Sequence, residues 1–159
     1  MKLCIGAGVM GWLLAIALQA GPGPENVCVV VNGDSFMSRA VANEYVALRK
    51  IPPDNVVYVS GLPSNERMDV AQFRDLILRP VLAALDQRQL GRQIDCIAYS
   101  ADLPTEIDFT PDLQGANPAQ QFGRSGSITG LTYLAQFVMA SQAQNYVNLV
   151  NNRYWRQVK

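Results

Sequence analysis

The sequence contains no histidine in 159 residues. Histidine is the usual general base at neutral pH and the commonest metal ligand in proteins. Its absence excludes a Ser-His-Asp site, a Cys-His site and a histidine-based zinc site built from this chain alone. Three scattered cysteines do not replace the missing zinc ligands. The residues present contain no complete catalytic constellation, so the sequence leaves open whether the protein is an enzyme.

Charge is also scarce, and it is balanced. Only 16% of the residues are charged, and 13 basic residues match 13 acidic ones. Binding to nucleic acid or to an anionic membrane surface usually requires a basic excess, so no nucleic-acid partner is predicted. The segment from Asn32 to Met37 matches neither a Gly-x-Gly-x-x-Gly nor a Walker loop, and no cofactor is predicted.

The first 20 residues have the order of a secretory signal peptide. Lys2 precedes an apolar run from Leu3 to Leu18, and small residues up to Ala20 lead into a Gly-Pro breaker at 21–24. A membrane anchor and a buried first helix are the alternatives, but a spanning helix needs about 20 apolar residues and a basic stop. The sequence predicts cleavage, a periplasmic or secreted protein with no stable membrane span, and an envelope protein as candidate partner.

The rest of the chain, residues 21–159, has the composition of one α/β domain. Nearly half of all residues are hydrophobic, and continuous apolar runs at 26–32, 56–59 and 94–101 are typical of strands buried on both faces. Helix-like segments separate these runs, and right-handed crossovers would make the strands parallel in the order 2-1-3. The predicted fold is three-layer, doubly wound (Rossmann- or flavodoxin-like), with a mainly parallel sheet and its core at 26–101.

Two segments predict the helices that connect these strands. The first runs from about 38 to 50, and its apolar residues recur at i, i+4 and i+7 on one helical face: Val41, Tyr45 and Leu48. The second begins after Asp69, a good capping residue. Pro80 lies inside the second pattern, so we expect that helix to kink or split near Arg79.

The chain changes character after Ala101. Residues 102–127 are rich in proline and glycine and predict a long loop. Residues 128–159 predict a helical segment that starts after Ser127. Doubly wound sheets usually contain more than three strands, so the sheet is expected to be incomplete and the chain to be a fragment.

The cysteines allow one disulfide in the mature chain. Cleavage of the signal peptide would remove Cys4 and leave Cys28 and Cys96, both in strand-like runs. An oxidising compartment permits their pairing, but adjacent parallel strands hold side chains in poor geometry for that bond. Two buried free thiols are the favoured interpretation.

Several spaced motifs resemble a family of uncharacterised exported bacterial proteins. The opening motif of that family is an asparagine that ends a strand, a serine that starts a helix, then Ala-x-x-Tyr, Arg and Ile-Pro. The matching residues here are Asn32, Ser38, Ala42, Tyr45, Arg49 and Ile51-Pro52, and further similarities continue to about residue 135. The resemblance implies export and an α/β core, with no established activity or cofactor.

Geometry places the candidate site where the predicted strand order reverses. Ligands of open α/β sheets bind beyond the carboxyl ends of the strands at such a point. The weak binding candidates there are Asn32, Asp34, Ser100 and Asp102. Two carboxylates with asparagine and serine oxygens could hold Mg²⁺, but helix capping and turn formation explain the same residues, so no metal is assigned.

Ser35 is the one weak candidate for a catalytic residue. The tripeptide Gly33-Asp34-Ser35 after a strand resembles the first block of Gly-Asp-Ser hydrolases, in which this serine would be the nucleophile. The third strand ends in Tyr99-Ser100-Ala101-Asp102 instead of the Gly-x-Asn-Asp block of those enzymes, and a serine without a base is a weak nucleophile.

Together these patterns favour a binding or assembly module of the cell envelope. The alternative is an extracytoplasmic hydrolase, esterase-like or metal-dependent, whose remaining catalytic residues lie beyond Lys159.

Overall fold

The computed structural model describes residues 23–64, 66–113 and 123–147. The strands in these ranges are β1 (Val27–Asn32), β2 (Val56–Val59), β3 (Arg67–Asp69), β4 (Cys96–Tyr99), β5 (Glu106–Asp108) and β6 (Ser125–Ser127). The helices are α1 (Phe36–Arg49), α2 (Val70–Phe73), α3 (Arg79–Gln87), α4 (Ile128–Tyr133), α5 (Ala135–Met139) and α6 (Ala143–Tyr146). A π turn (Arg74–Leu78) joins α2 to α3.

A three-stranded parallel sheet forms the centre of this mixed α/β structure. β1 pairs with β2 on one side and with β4 on the other, so Val29 lies between Val56 and Ala98. β4 is the third of the strands that the sequence predicts. The predicted parallel order, with the first strand in the middle, is therefore confirmed.

β1 is covered on both faces. Val27, Val29 and Val31 pack with Ala42 of α1, while Cys28 and Val30 belong to a larger core that includes α2 and α3. The five residues from Val27 to Val31 are at most 2% exposed. This burial explains the uninterrupted apolar run, because a strand with helices on both faces has no side that favours polar residues.

α1 contacts the sheet through small residues. Ser35 caps its first turn by accepting a hydrogen bond from the Ser38 backbone N–H, and the helix ends at Lys50, which has a left-handed φ of 55°. The buried positions of α1 are Ser38 and Ala42. The apolar face identified from the sequence, which contains Val41, Tyr45 and Leu48, is exposed. Ser38, Ala42 and the partly buried Val46 face the sheet. The larger residues Val41, Tyr45 and Leu48 lie on another face of the helix, which is exposed to water.

The second helical segment has the predicted start, and near the predicted break its hydrogen-bond spacing changes while the backbone stays helical from Phe73 to Arg79. Asp69 and Gln72 form a reciprocal capping box at the start of α2. The π turn ends at Leu78, and Pro80 lies in the first turn of α3, where a missing N–H is tolerated. Phe73, Ile77 and Val81 of this segment are at most 1% exposed and face the sheet.

Two strands of a second small sheet, β5 and β6, lie in the segment that the sequence predicts as a long loop, and β3, which precedes that segment, completes the sheet. β5 pairs in parallel with β3 and antiparallel with β6. Each of these strands has three residues, and only Met68 and Ile107 contribute fully buried apolar side chains from them. Ser127 caps α4 as the sequence indicates, by accepting a hydrogen bond from the Gly130 N–H.

A buried polar cluster connects this second sheet to the helices. The Arg74 guanidinium forms an ion pair with Asp112 and donates to the Val138 carbonyl at 2.6 Å. The Tyr146 hydroxyl donates to the same Asp112 carboxylate. Burial, with the adjacent carboxylate as a second cause, raises the pKa of Tyr146, so this hydroxyl keeps its proton.

Cys28 and Cys96 are both free, but they differ in exposure. Cys28 is buried in the core, and Cys96 is exposed on β4. The expectation of unpaired thiols is confirmed, and the expectation that both are buried is wrong for Cys96, because β4 is an edge strand of the parallel sheet. Burial raises the pKa of the Cys28 thiol to about 11.

The predicted signal peptide at 1–20 and the C-terminal residues 148–159 lie outside the described residues. Within the described ranges, no helix combines the length and apolar character needed to cross a membrane.

Candidate functional site

The turn after β1 has a specific set of hydrogen bonds. The Asn32 side-chain carbonyl accepts from the Asp34 N–H at 3.1 Å, and the Asn32 backbone carbonyl accepts from the Ser35 N–H at 3.2 Å. The Gly33 N–H donates to Val59 of β2 at 2.7 Å. Asparagine and glycine favour such a turn because the asparagine side chain imitates a backbone acceptor. The turn therefore holds the end of β1 in a fixed position beside β2.

Ser35 has two roles at this corner. Its Oγ accepts a hydrogen bond from the Ser38 N–H at 3.0 Å, which is the capping contact of α1. The same hydroxyl donates to the Asp102 carboxylate at 2.5 Å. Ser35 is therefore a helix cap and also the link between the first turn and the segment that follows β4.

Asp102 is the residue around which the site is organised. It has a left-handed backbone with φ of 54°, a conformation that L-residues adopt uncommonly and that aspartate tolerates better than most. Its backbone carbonyl accepts from the Asn32 side chain at 2.8 Å, and its carboxylate accepts from Ser35. The structure thus brings together three of the predicted site residues, Asn32, Ser35 and Asp102, at the carboxyl ends of β1 and β4.

Asp34 is held on the other side of the same turn. Its carboxylate accepts a hydrogen bond at 2.7 Å from the N–H of Gly61, which follows β2. This contact explains the position of the carboxylate. Asp34 nevertheless lines the same surface cleft as Asp102.

Ser100 has a structural position outside that cleft. Its N–H donates to the Val30 carbonyl at 3.0 Å, and its hydroxyl donates to the Ser38 carbonyl at 2.7 Å. Ser38 in turn accepts from the Asn32 N–H at 2.9 Å. These bonds join the ends of β1 and β4 to the first turn of α1. Ser100 therefore positions the corner and does not line the cleft.

A cleft of about 490 Å³ opens beside this corner. One wall is the turn after β1 together with Asp102, and the other consists of residues 62–64 and Glu66, which precede β3. The described residues that line it are Asn32, Asp34, Ser35, Leu62, Pro63, Ser64, Glu66, Asp102 and Leu103. Glu66 was missed by the sequence reasoning, because nothing in its local pattern separates it from an ordinary loop residue.

The cleft is acidic, and its chemistry is restricted. Asp34, Glu66 and Asp102 contribute carboxylates, while no lysine, arginine or cysteine lines it among the described residues. Within the described part of the chain, no group of three or more acidic or cysteine side chains is arranged to hold a metal ion. The arrangement can accept hydrogen bonds and attract positive charge, but it offers no imidazole base.

A larger cavity, of about 590 Å³, lies at the free edge of β4. Its walls are mainly apolar and come from α3, β4 and α4, with Tyr99 hydrogen-bonded to Thr132 at 2.6 Å. Burial raises the pKa of Tyr99 to about 12, so this phenol stays protonated. The cavity lies away from every site residue that the sequence predicts. We assign the site to the smaller cleft because the polar side chains converge there, at the reversal of strand order.

Comparison with models of known protein families, with curated protein sequences and with solved structures gave no significant match to this chain.

Proposed function

We propose that the protein is an exported binding module that receives a ligand in the cleft between Asp34, Glu66 and Asp102. The observation that carries this proposal is the convergence of carboxylates on one open cleft at the reversal of strand order. A three-layer, doubly wound arrangement is part of the proposal, and it is supported by helices that pack on both faces of β1.

Binding is favoured over catalysis because the polar groups of the corner already have partners. Ser35 caps α1 and donates to Asp102, Asp34 accepts from Gly61, and Asn32 binds Asp102. Such a network holds the cleft walls rigidly, and rigid walls lower the entropy cost of binding. Ser35 serves as the helix cap and as the link to Asp102, and the sequence contains no histidine to act as its general base.

The charge of the cleft selects the class of ligand. Three carboxylates without a basic neighbour in the lining favour a ligand with amino or guanidinium groups and disfavour a phosphate. A basic peptide segment of an envelope protein has this chemistry and agrees with the partner predicted from the sequence.

The binding proposal is tested by titration with a short lysine- and arginine-rich peptide, followed by NMR chemical shifts. We expect shifts at the turn after β1 and around Asp102, and weaker binding after Glu66→Gln. The matched control is Glu44→Gln, an exposed glutamate on α1 that does not line the cleft. The proposal would be contradicted if both substitutions weakened peptide binding equally, or if neither changed the affinity.

Export is a separate part of the proposal and has its own test. A signal peptide at 1–20 predicts that the protein secreted from a bacterial host begins at Gly21. Mass spectrometry of the recovered protein measures this directly. An intact chain that starts at Met1 in the cytoplasm would contradict export and leave the binding proposal standing.

A second candidate function, a hydrolase with Ser35 as nucleophile, is favoured by one observation. The Ser35 hydroxyl donates to the Asp102 carboxylate at 2.5 Å, beside the first turn of a helix. A serine-directed fluorophosphonate should then label the protein, and Ser35→Ala should abolish the labelling. Absence of labelling in the parent protein, or labelling that survives this substitution, would exclude the hydrolase.

A further inference from the structure

The outward face of α1 is apolar. Five of the eight large apolar side chains that are exposed among the described residues belong to this helix. Four of them follow one another along the helix at spacings of four, four and three residues, and we call them the α1 stripe. The stripe consists of Met37 (57% exposed), Val41 (46%), Tyr45 (36%) and Leu48 (79%).

The α1 stripe has no role in the core formed by the described residues. The contact between α1 and the sheet is made by Ser38, Ala42 and the partly buried Val46 on another face of the helix. A helix that covers a sheet normally presents charged and polar residues to water. A contiguous exposed apolar patch with polar surroundings is typical of a protein–protein contact.

Charge at the two ends of the stripe indicates which surface fits it. Asp34 lies just before α1, and Arg49 and Lys50 lie at its end, all three exposed. Neither Arg49 nor Lys50 belongs to an ion pair formed between described residues. The surface that best complements the stripe is therefore apolar along its middle, acidic at one end and basic at the other. A second copy of α1 in reversed direction has this distribution.

We propose that two copies of this chain associate through their α1 stripes, with the two helices antiparallel about a two-fold axis. This arrangement places Val41 of each copy against Tyr45 of the other, and Met37 near Leu48. It also brings Arg49 and Lys50 of each copy towards the N-terminal end of α1 of the other, where Asp34 lies at the rim of the cleft with its carboxylate bound to the Gly61 N–H. A parallel pair would bring like charges together. Two-fold symmetry gives each copy the same contacts, which is the commonest form of homodimer.

One helix from each copy covers less surface than a standard interface of about 800 Å² per partner. We therefore expect a dissociation constant in the micromolar range. Glu44 borders the stripe and would stay at the wet rim of the interface.

Sedimentation equilibrium of the full chain, at about 1 to 200 µM, tests the association. We expect the mass of a dimer at the upper end of this range. Leu48→Asp should raise the dissociation constant at least about thirtyfold, because it places a carboxylate among the apolar contacts of the stripe. Leu48 is so exposed that the substitution leaves the monomer intact. The matched control is Tyr133→Asp, at an exposed aromatic residue on α4, which should not change the constant.

The orientation is tested by disulfide trapping in a Cys4→Ser, Cys96→Ser background. Chains with Met37→Cys and chains with Leu48→Cys are oxidised separately and as a mixture. Antiparallel pairing predicts that the mixed disulfide forms about tenfold faster than either homodimer. The proposal would be overturned if the parent protein were monomeric over the whole concentration range, or if Leu48→Asp left the dissociation constant unchanged. Faster trapping of the Leu48→Cys homodimer than of the mixed disulfide would also overturn it.

Discussion

The two sheets of this protein are held together by different kinds of interaction. The parallel sheet of β1, β2 and β4 rests on aliphatic side chains, with five consecutive residues of β1 almost inaccessible to water. The sheet of β3, β5 and β6 has strands of three residues and carries the exposed ion pairs of Arg67, and the segment after β5 is joined to the helices by the largely buried Arg74–Asp112 pair. In an apolar core, the free energy of unfolding falls in proportion to the buried groups removed. In a buried ion pair, loss of one partner leaves the other charge buried and is strongly destabilising.

The largest effect is expected from Asp112→Ala in the polar cluster. The substitution leaves the Arg74 charge buried and removes the acceptor of Tyr146, so the free energy of unfolding should fall by about 3 to 5 kcal/mol. Urea denaturation followed by circular dichroism measures it. The control is Arg67→Ala, which breaks the exposed ion pairs between β3 and β5. It should lower the free energy of unfolding by less than about 1 kcal/mol. Similar losses in both variants would remove the distinction between buried and exposed pairs.

A smaller effect is expected from Val30→Ala in the parallel sheet. The substitution deletes two buried methyl groups at the centre of β1 and leaves a small cavity, so we expect a loss of about 2 to 3 kcal/mol in the same urea assay. Tyr58→Ala, at an exposed position of β2, is the control and should change stability by less. If Val30→Ala cost more than Asp112→Ala, the proposed contrast between the sheets would be reversed.

Asn55→Ala tests the main buried polar contact of the parallel sheet. The Asn55 side-chain amide donates to the carbonyls of Glu25 and Val27, at 2.7 and 3.0 Å. Its removal leaves the buried Val27 carbonyl without this donor, and the expected cost is about 1 to 2 kcal/mol by thermal or urea unfolding. Asn43→Ala, at an exposed position on α1, should be nearly neutral. A neutral Asn55→Ala would mean that this contact does not hold the start of β1.

The smallest effect concerns the pH dependence of the second sheet. Hydrogen bonds from the side chain and backbone of Thr110, and then the Arg67 contact, lower the pKa of Asp108. A carboxylate with a lowered folded-state pKa stabilises the protein above its ordinary pKa, and this contribution is lost as the pH falls through the folded-state value. The stability difference between the parent and Asp108→Asn should therefore shrink between about pH 5 and pH 2. A difference that stays constant over this range would contradict the assignment.

The parallel sheet was predictable because its signals are local. The run from Val27 to Val31 indicates a buried strand, and the caps at Asp69 and Ser127 are recognisable from residue type and position. The second sheet was not predictable, because Ser125–Ser127 contains no β-branched or aromatic residue and becomes a strand only by pairing with β5. Periodicity also identified an apolar face of α1 without showing that Ser38 and Ala42 form the buried one.

The position of the candidate site was predictable in part, because the strands that define it have local sequence signals. The turn after β1 and the end of β4 could be placed at one edge of the sheet from strand order alone, and the contact between Ser35 and Asp102 agrees with that placement. The contact between Asp34 and Gly61 and the presence of Glu66 in the cleft depend on how the segment after β2 folds back. No periodic pattern in the sequence predicts the path of the segment after β2.

The π turn between α2 and α3 makes the length of this helical segment as important as its composition. Its closing bond joins the Arg79 N–H to the Arg74 carbonyl, one residue farther apart than in an α-helix. The wider turn accommodates one extra residue, so Phe73 before it and Val81 and Leu85 after it face the same core. Deleting one residue within the π turn should therefore restore a regular helix with Val81 and Leu85 still in the core. Deleting one residue within α3, such as Ala83, should be far more damaging, because no wide turn accommodates that change and Leu85 would rotate away from the core by about 100°.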